Sequence, residues 1–425
     1  MRSRLLVAAA SSLLALLLVA GLWFGLGGPK RARPAPLVEV VITDPDPTRA
    51  EWCARQRLFD QKHPPRPVRH FEDSTLLWER LNLAAVLRIR PHLASGAGVV
   101  FDEFSHFRRS PNLRFETPFP EHPDGSWWVV TNAQGLRMDR PSRGDGLEFV
   151  VLATGDSHSE GACNNAESWS QLLGARLDTL GLAGNTDVLN ASCGGFTLYS
   201  YLGVLERALA GAQGLPKPNV YAVAIYGGND LLELLPFRHY FARRPRPLGH
   251  SEYTVDMQHL RRDYMPAMAQ VFEQILYFRH NPGEQEEAIA GAVEVLVEID
   301  RLCQANGIRF VPMWLPSAAD LEWDRHGDVF DVIAADRTLE DHWRHSALRL
   351  GERIRAETAQ LDWIDLGPPL AEVPGGAFWV LDNHINLAAH ESIAQQLFAR
   401  LSERGWLPTP GSAAPEGSAG SGSGR

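Results

Sequence analysis

The sequence predicts an α/β fold, with a central parallel sheet covered by helices on both faces. Three observations predict it. From residue 147 onward, short apolar runs recur, and each is followed by a stretch with helical spacing. The first run, Phe149–Ala153 in EFVVLATGDSHSEGACN (Glu148–Asn164), is apolar throughout rather than alternating, as in a strand buried on both faces. The runs end on small or polar residues, on the strand ends where open α/β sheets hold their ligands.

Taken in order, Leu5–Gly27 is 23 residues without a charge, long enough to span a bilayer as a helix. It lacks the short apolar region and small-x-small site of a cleaved signal peptide, so an uncleaved anchor is expected. Basic residues flank both of its ends, and the positive-inside rule does not choose an orientation. Export of the body that follows is the simpler expectation. Pro34–Gln56 reads as a stalk, and Ser74–Arg90, stopped by Pro91, carries helical spacing. Pro91–Gly146 is rich in Pro, Gly and aromatics and reads as a cap or β-rich extension. In it, Trp127–Val130 is a strand leading to a turn at Asn132–Arg137.

In the body, strands are expected at Phe149–Ala153, Asp187–Ala191, Val220–Tyr226, Arg309–Leu315 and Leu361–Leu366. Helices are expected at Ala166–Leu180, Tyr199–Ala210, Gln285–Asn306, Arg344–Thr358 and His390–Arg400. The chain thus divides into an anchor (1–36), a stalk and extension (37–146), a body (147–403) and a Gly/Ser-rich tail (404–425) expected to be disordered. Two long connections, 231–282 and 316–343, leave the carboxyl side of strands and are expected to act as lids or substrate-binding segments. The first contains a basic, Pro-rich patch at Arg243–Pro247.

The net charge of -10 hides a basic amino end; without it the remainder is near -15. A body so acidic has no footprint for nucleic acid. No C-x-x-C, H-E-x-x-H or G-x-x-x-x-G-K-[ST] pattern is present, and neither metal nor cofactor is expected. Cys163 and Cys193 follow neighbouring strands, which leaves both a disulfide and two buried thiols open. Cys53 and Cys303 complete the set.

Ser157, Gly195 and Asn229 lie at three strand ends, and Leu381-Asp382-Asn383-His384-Ile385-Asn386 precedes the last helix. A parallel sheet gathers these loops on one edge. A serine hydroxyl needs a base at neutral pH, and His384 is the candidate, with Asp382 fixing its tautomer. The N–H groups of Ser157 and Gly195 and the Asn229 amide are candidate oxyanion donors. Asp156 is expected to order the turn, His158 to shape the pocket, and His390 to be structural.

These blocks resemble the SGNH, or GDSL-type, hydrolase family in its bacterial membrane-linked, extracytoplasmic branch. Gly155-Asp156-Ser157 matches the first block and Gly195 the second, with Gly194 a shift by one. Gly227-Gly228-Asn229-Asp230 matches the third, and Asp382 with His384 the last. Here the last pair is spaced D-x-H rather than D-x-x-H, as in acetyltransferase-like relatives. Thr131–Arg137, T-N-x-x-G-x-R, is similar to the lead-in of bacterial members. The resemblance implies a three-layer α/β/α flavodoxin-like sandwich and hydrolysis of an O-acyl, above all O-acetyl, ester through Ser157. The implied partner is an acylated carbohydrate or other small ester. Acyl transfer to a polysaccharide and a non-catalytic envelope binding protein are the alternatives. The implied location is the inner or cytoplasmic membrane, with the body outside the cytoplasm.

Overall fold

The computed structural model describes residues 66–408, apart from 91–92, 94–97, 145, 183, 245–265, 327–328 and 330–339. Leu5–Gly27, the stalk, Cys53 and the tail from residue 409 lie outside the described residues. No helix among the described residues is long and apolar enough to cross a membrane.

The extension carries β1 (Arg66–Pro67), β2 (Glu79–Arg80), α1 (Leu83–Ile89), β3 (Val99–Asp102), β4 (His106–Arg109), β5 (Arg114–Pro118) and β6 (Ser126–Val130). The body opens with β7 (Phe149–Gly155), α2 (Ser157–Glu160), α3 (Trp169–Leu177), β8 (Thr186–Asn190), α4 (Leu198–Leu209) and β9 (Val220–Tyr226). Then come α5 (Asp230–Phe241), α6 (Pro266–His280), α7 (Pro282–Ala305), β10 (Arg309–Leu315), α8 (Ala318–Leu321) and α9 (Glu340–Arg344). The chain continues through α10 (Ser346–Glu357), β11 (Ile364–Asp365) and α11 (Gly367–Ala371) to α12 (Leu387–Glu403).

Strands β7 to β11 form one parallel sheet in the order β11-β10-β9-β7-β8. Numbered by first appearance this is 2-1-3-4-5, a doubly wound order whose direction reverses between β7 and β9, where such sheets take their ligands. Side-chain alternation divides the core. Tyr221, Val223 and Ile225 of β9 join α4, α5 and α7 on one face, while Val220, Ala222, Ala224 and Tyr226 join α3 and α12 on the other. Each Val or Leu buried this way contributes about 1.5–3 kcal/mol.

β7 runs two residues past its expected end. Gly155 permits this, because a Cβ there would lie 2.1 Å from Ser159 Oγ and 2.8 Å from Ala224 O. β11 is shorter than Leu361–Leu366: only Ile364 and Asp365 pair with β10, and Leu366 already caps α11. The expected helix at Ser74–Arg90 is confined to α1, since Asn82 Oδ1 accepts from Ala85 N (2.9 Å) and fixes the start there. Glu79–Arg80 pairs instead with β1.

The described part of 231–282 is core rather than a flap. Leu231, Leu234, Leu235 and Phe237 of α5 and Phe272 and Leu276 of α6 are fully buried. Arg243 and Arg244 of the basic patch are taken by Glu79 and Glu287, at 2.8 and 2.7 Å. In the second connection, Asp320 Oδ1 accepts from Ala347 N (3.1 Å) and Leu348 N (3.2 Å) and so holds the start of α10.

The extension shares the body's core: Trp78 stacks on Tyr199, and Leu81, Val86, Phe107 and Leu136 join the same cluster. Its deepest tie is Arg137, whose guanidinium is fully buried. It donates to Asn165 Oδ1 (2.7 Å) and to the carbonyls of Glu160 (2.8 Å), Gly161 (3.0 Å), Cys163 (2.5 Å) and Trp128 (3.2 Å). Arg137→Met strands these acceptors away from water and is expected to destabilise the protein by at least about 3 kcal/mol. Urea unfolding followed by tryptophan fluorescence checks this; an unchanged midpoint contradicts it.

Candidate active site

Ser157 is the first residue of α2, at the carboxyl end of β7 beside the switch point. Asp156 orders the turn as expected, its Oδ1 accepting from His158 N at 2.9 Å. His384 lies on a loop 227 residues later, and its Nε2 stands 2.8 Å from Ser157 Oγ. Its Nδ1 is paired with Asp382 Oδ1, which also accepts from His384 N at 3.0 Å. One carboxylate oxygen thus holds the ring and its backbone together. The short D-x-H spacing works because Asn383 takes a left-handed conformation, φ +60°, in which Asn is one of the few residues at ease.

The loop is framed from both sides. Trp379 N donates to His384 O (2.8 Å), and Asn386 N to Ala377 O (2.9 Å). Asn386 then caps α12 through Oδ1 to Ala389 N (3.0 Å). From the extension, Glu121 Oε1 accepts from Leu381 N at 2.7 Å.

His158 stacks on Tyr226 with ring centroids 3.6 Å apart and lies 4.6 Å from the His384 ring. Burial, reinforced by the neighbouring histidines, holds it well below the usual imidazole range, so it is a neutral plate against His384. His384 differs. Burial pulls it down, but the hydrogen bond and charge of Asp382, aided by Asp156 and Glu160, outweigh this and raise it above 6.5. Burial pushes Asp382 up, and its hydrogen bond and charge interaction with His384 bring the balance below the ordinary carboxyl value. Asp156 is pushed up to about 7 by burial, against the pull of His384.

Of the two glycines, Gly194 N donates to Glu160 Oε2 at 2.7 Å. Gly195 N has no acceptor among the described residues. Asn229 is the N-cap residue of α5, but its side chain makes no capping hydrogen bond and its Oδ1 is buried without a partner. The turn is ordered instead by Asp230, which accepts from Tyr226 N (2.9 Å) and Tyr201 Oη (2.7 Å). The Asn229 amide is therefore spared from structural work.

Three residues beside this site were not singled out from sequence. Glu160 and Arg109 form a buried pair, and Gln274 of α6 brackets the Asn229 loop, accepting from Leu232 N (2.9 Å) and donating to Gly227 O (2.6 Å). Only Glu160 carried a signal, as an acid three residues after Ser157 in the same short turn.

His390 is structural, accepting from Trp169 N at 3.2 Å and facing Cys163 Sγ at 3.5 Å. Cys163, Cys193 and Cys303 are free, buried thiols, which decides the disulfide question for Cys163 and Cys193. Burial pushes Cys163 and Cys193 up to about 12. His122, Asp124 and Glu167 converge; His122 Nδ1 accepts from Asp124 N (3.2 Å), leaving Nε2–H for Glu167 (3.1 Å), so both ring nitrogens are already engaged.

No family model matches the chain, and no curated protein matches it. Solved structures to which the chain shows a distant likeness include an acetylxylan esterase from Geobacillus stearothermophilus, in a catalytic mutant form. It is 12% identical over 60% of this chain and 95% of that one, with a TM-score of 0.35. A GDSL-like lipase from Bacteroides thetaiotaomicron VPI-5482 is also 12% identical, over 60% and 89%, with a TM-score of 0.31. An α/β-hydrolase enzyme from the metagenome of Lake Arreo, Spain, is 16% identical over 60% and 96%, with a TM-score of 0.32. Likenesses this distant assign neither family nor substrate.

Because the thiols are buried and protonated, Cys163, Cys193 and Cys303 are expected to resist iodoacetamide in the native protein. All three should react after denaturation without reductant. Peptide mass spectrometry checks this, and a Cys163–Cys193 linked peptide contradicts it.

Proposed function

We propose that the protein is a serine esterase of the SGNH type acting on a small O-acyl ester, with acetyl as its simplest acyl group. The observation that carries this reading is the 2.8 Å contact of His384 Nε2 with Ser157 Oγ, behind which Asp382 holds Nδ1. With Nδ1–H directed at the carboxylate, Nε2 presents its lone pair to the hydroxyl.

Ser157 Oγ bonds to the ester carbonyl carbon as its proton passes to Nε2. The carbonyl electron pair moves onto oxygen, and the oxyanion takes hydrogen bonds from the N–H groups of Ser157 and Gly195 and the Asn229 amide. Collapse breaks the bond to the alcohol, which leaves with the proton from Nε2. Water then attacks the acyl-enzyme with His384 again as base, releasing the acid and restoring Ser157. Asp382 stays ionised throughout.

The strand order and the helices on both faces support the three-layer sandwich of that family. The uncharged stretch Leu5–Gly27 supports an anchor that sets residues 147–403 outside the cytoplasm, with 37–146 as stalk and extension.

In a fragment lacking the first 36 residues, a fluorophosphonate is expected to label Ser157 and p-nitrophenyl acetate to be hydrolysed. Ser157→Ala should abolish labelling and lower kcat by at least about 10⁴-fold. Folded wild-type protein that neither labels nor turns over overturns the reading.

His384 acts as base only when neutral, and its pKa is raised, so kcat/KM should climb with pH through an apparent pKa above 6.5. Asp382→Asn removes the charge that raises it. The acid limb should then move to lower pH while kcat falls about 10⁴-fold, from the wrong tautomer. A limb that stays in place shows that Asp382 does not set it.

A further inference from the structure

Beside Ser157 lies a buried ion pair that the reaction does not consume. Glu160 closes α2, and Arg109 ends β4 in the extension, 51 positions earlier. Arg109 Nε meets Glu160 Oε1 at 2.5 Å and Nη2 meets Oε2 at 2.8 Å, a two-pronged grip. Both side chains are largely withdrawn from water, at 15% and 5% exposure. If the pair only fastened the extension, apolar residues of similar size would serve as well, because desolvation cancels most of what a buried pair gains. The carboxylate has a further bond: Oε2 accepts Gly194 N at 2.7 Å.

Gly194 and Gly195 are the central residues of a turn closed by Phe196 N to Cys193 O at 3.0 Å. Gly195, at φ +82°, takes the third position of a type II turn. Two adjacent glycines make such a turn permissive. Rotation of the peptide between them, from type II to type I, would turn the Gly195 N–H to the opposite side. Space around the turn is tight on the serine's side: a Cβ on Gly194 would lie 3.2 Å from Glu160 Oε2 and 3.5 Å from Ser157 Cβ. Phe107, two residues before Arg109 and on the same side of β4, lies 3.8 Å from the corresponding point on Gly195.

We infer that Glu160, gripped by Arg109, is a positioning residue: it anchors the Gly194 N–H and so aims the Gly195 N–H at the oxygen bound beside Ser157. The inference rests on the serine-esterase reading above. Glu160 stays ionised in this role, because Arg109 outweighs the opposing effect of burial and holds the carboxyl below its usual range. Arg109 thus makes the extension part of the oxyanion site.

The test uses Glu160→Gln and the double variant Arg109→Met/Glu160→Met, which removes both charges together. For each, kcat and KM for p-nitrophenyl acetate, inhibition by phenylboronic acid and the melting temperature are measured. A boronate bound to Ser157 presents a tetrahedral, anionic centre to the same donors. With the Gly195 amide free to turn, kcat should fall about 10²-fold, the lower end of the loss for one oxyanion donor, at unchanged KM. The boronate constant should rise by a similar factor. A folded double variant with wild-type kcat and boronate affinity overturns the inference. Loss of the folded state in both variants also overturns it, by making the pair structural. Failure of the esterase reading itself is seen separately, as wild-type protein without fluorophosphonate labelling.

Discussion

A fully buried guanidinium with no carboxylate among its hydrogen-bond acceptors is the constraint around which the Ser157 loop is built. Arg137 reaches the carbonyl of Glu160, one of the groups that a single-turn helix leaves without partners at its carboxyl end, and the carbonyls of Gly161 and Cys163 just beyond it. A four-residue helix has no cooperative stability of its own, so α2 depends on what surrounds it. Asp156 holds its first turn and Arg137 its last. Between these two ties Ser157 is fixed at the end of β7, where it meets the separately held His384 loop.

Burial pushes both histidines of the site downward, and their partners decide which of them stays down. His158 and His384 have adjoining rings, yet one is driven far down and the other is raised. The difference is a carboxylate: Asp382 faces His384, whereas His158 Nδ1 accepts a backbone N–H from Ile385 at 3.4 Å. A neutral imidazole stacked on Tyr226 can support the second ring without competing for its proton.

Much of this was legible in the chain. Val220–Tyr226 and Arg309–Leu315 were readable to the residue because continuous apolar runs bounded by polar turns admit few alternatives. Ser157, Asp382 and His384 could be placed because each stands beside a strand or a helix start. Arg109 and Gln274 could not be, since their partners lie 51 and 42 or more positions away and no local period marks them. Ser74–Arg90 misled because its apolar spacing continues across Asn82, whose side chain starts a helix there whatever the spacing before it. The two long connections looked like loops because composition reports polarity and not which helices a loop becomes; α5 proved to be core.

The bond from Glu121 to Leu381 N spans 260 positions, and the contact of Ser157 with His384 spans 227. The loops that meet at the serine come from opposite ends of the described chain. During synthesis Ser157 therefore emerges long before His384, and the sheet must hold its place until α12 has been made. A chain released before His384 leaves the Ser157 hydroxyl without the imidazole that it meets in the folded protein. The contact between the two residues is therefore a late one, as expected when contacts of great sequence separation form last.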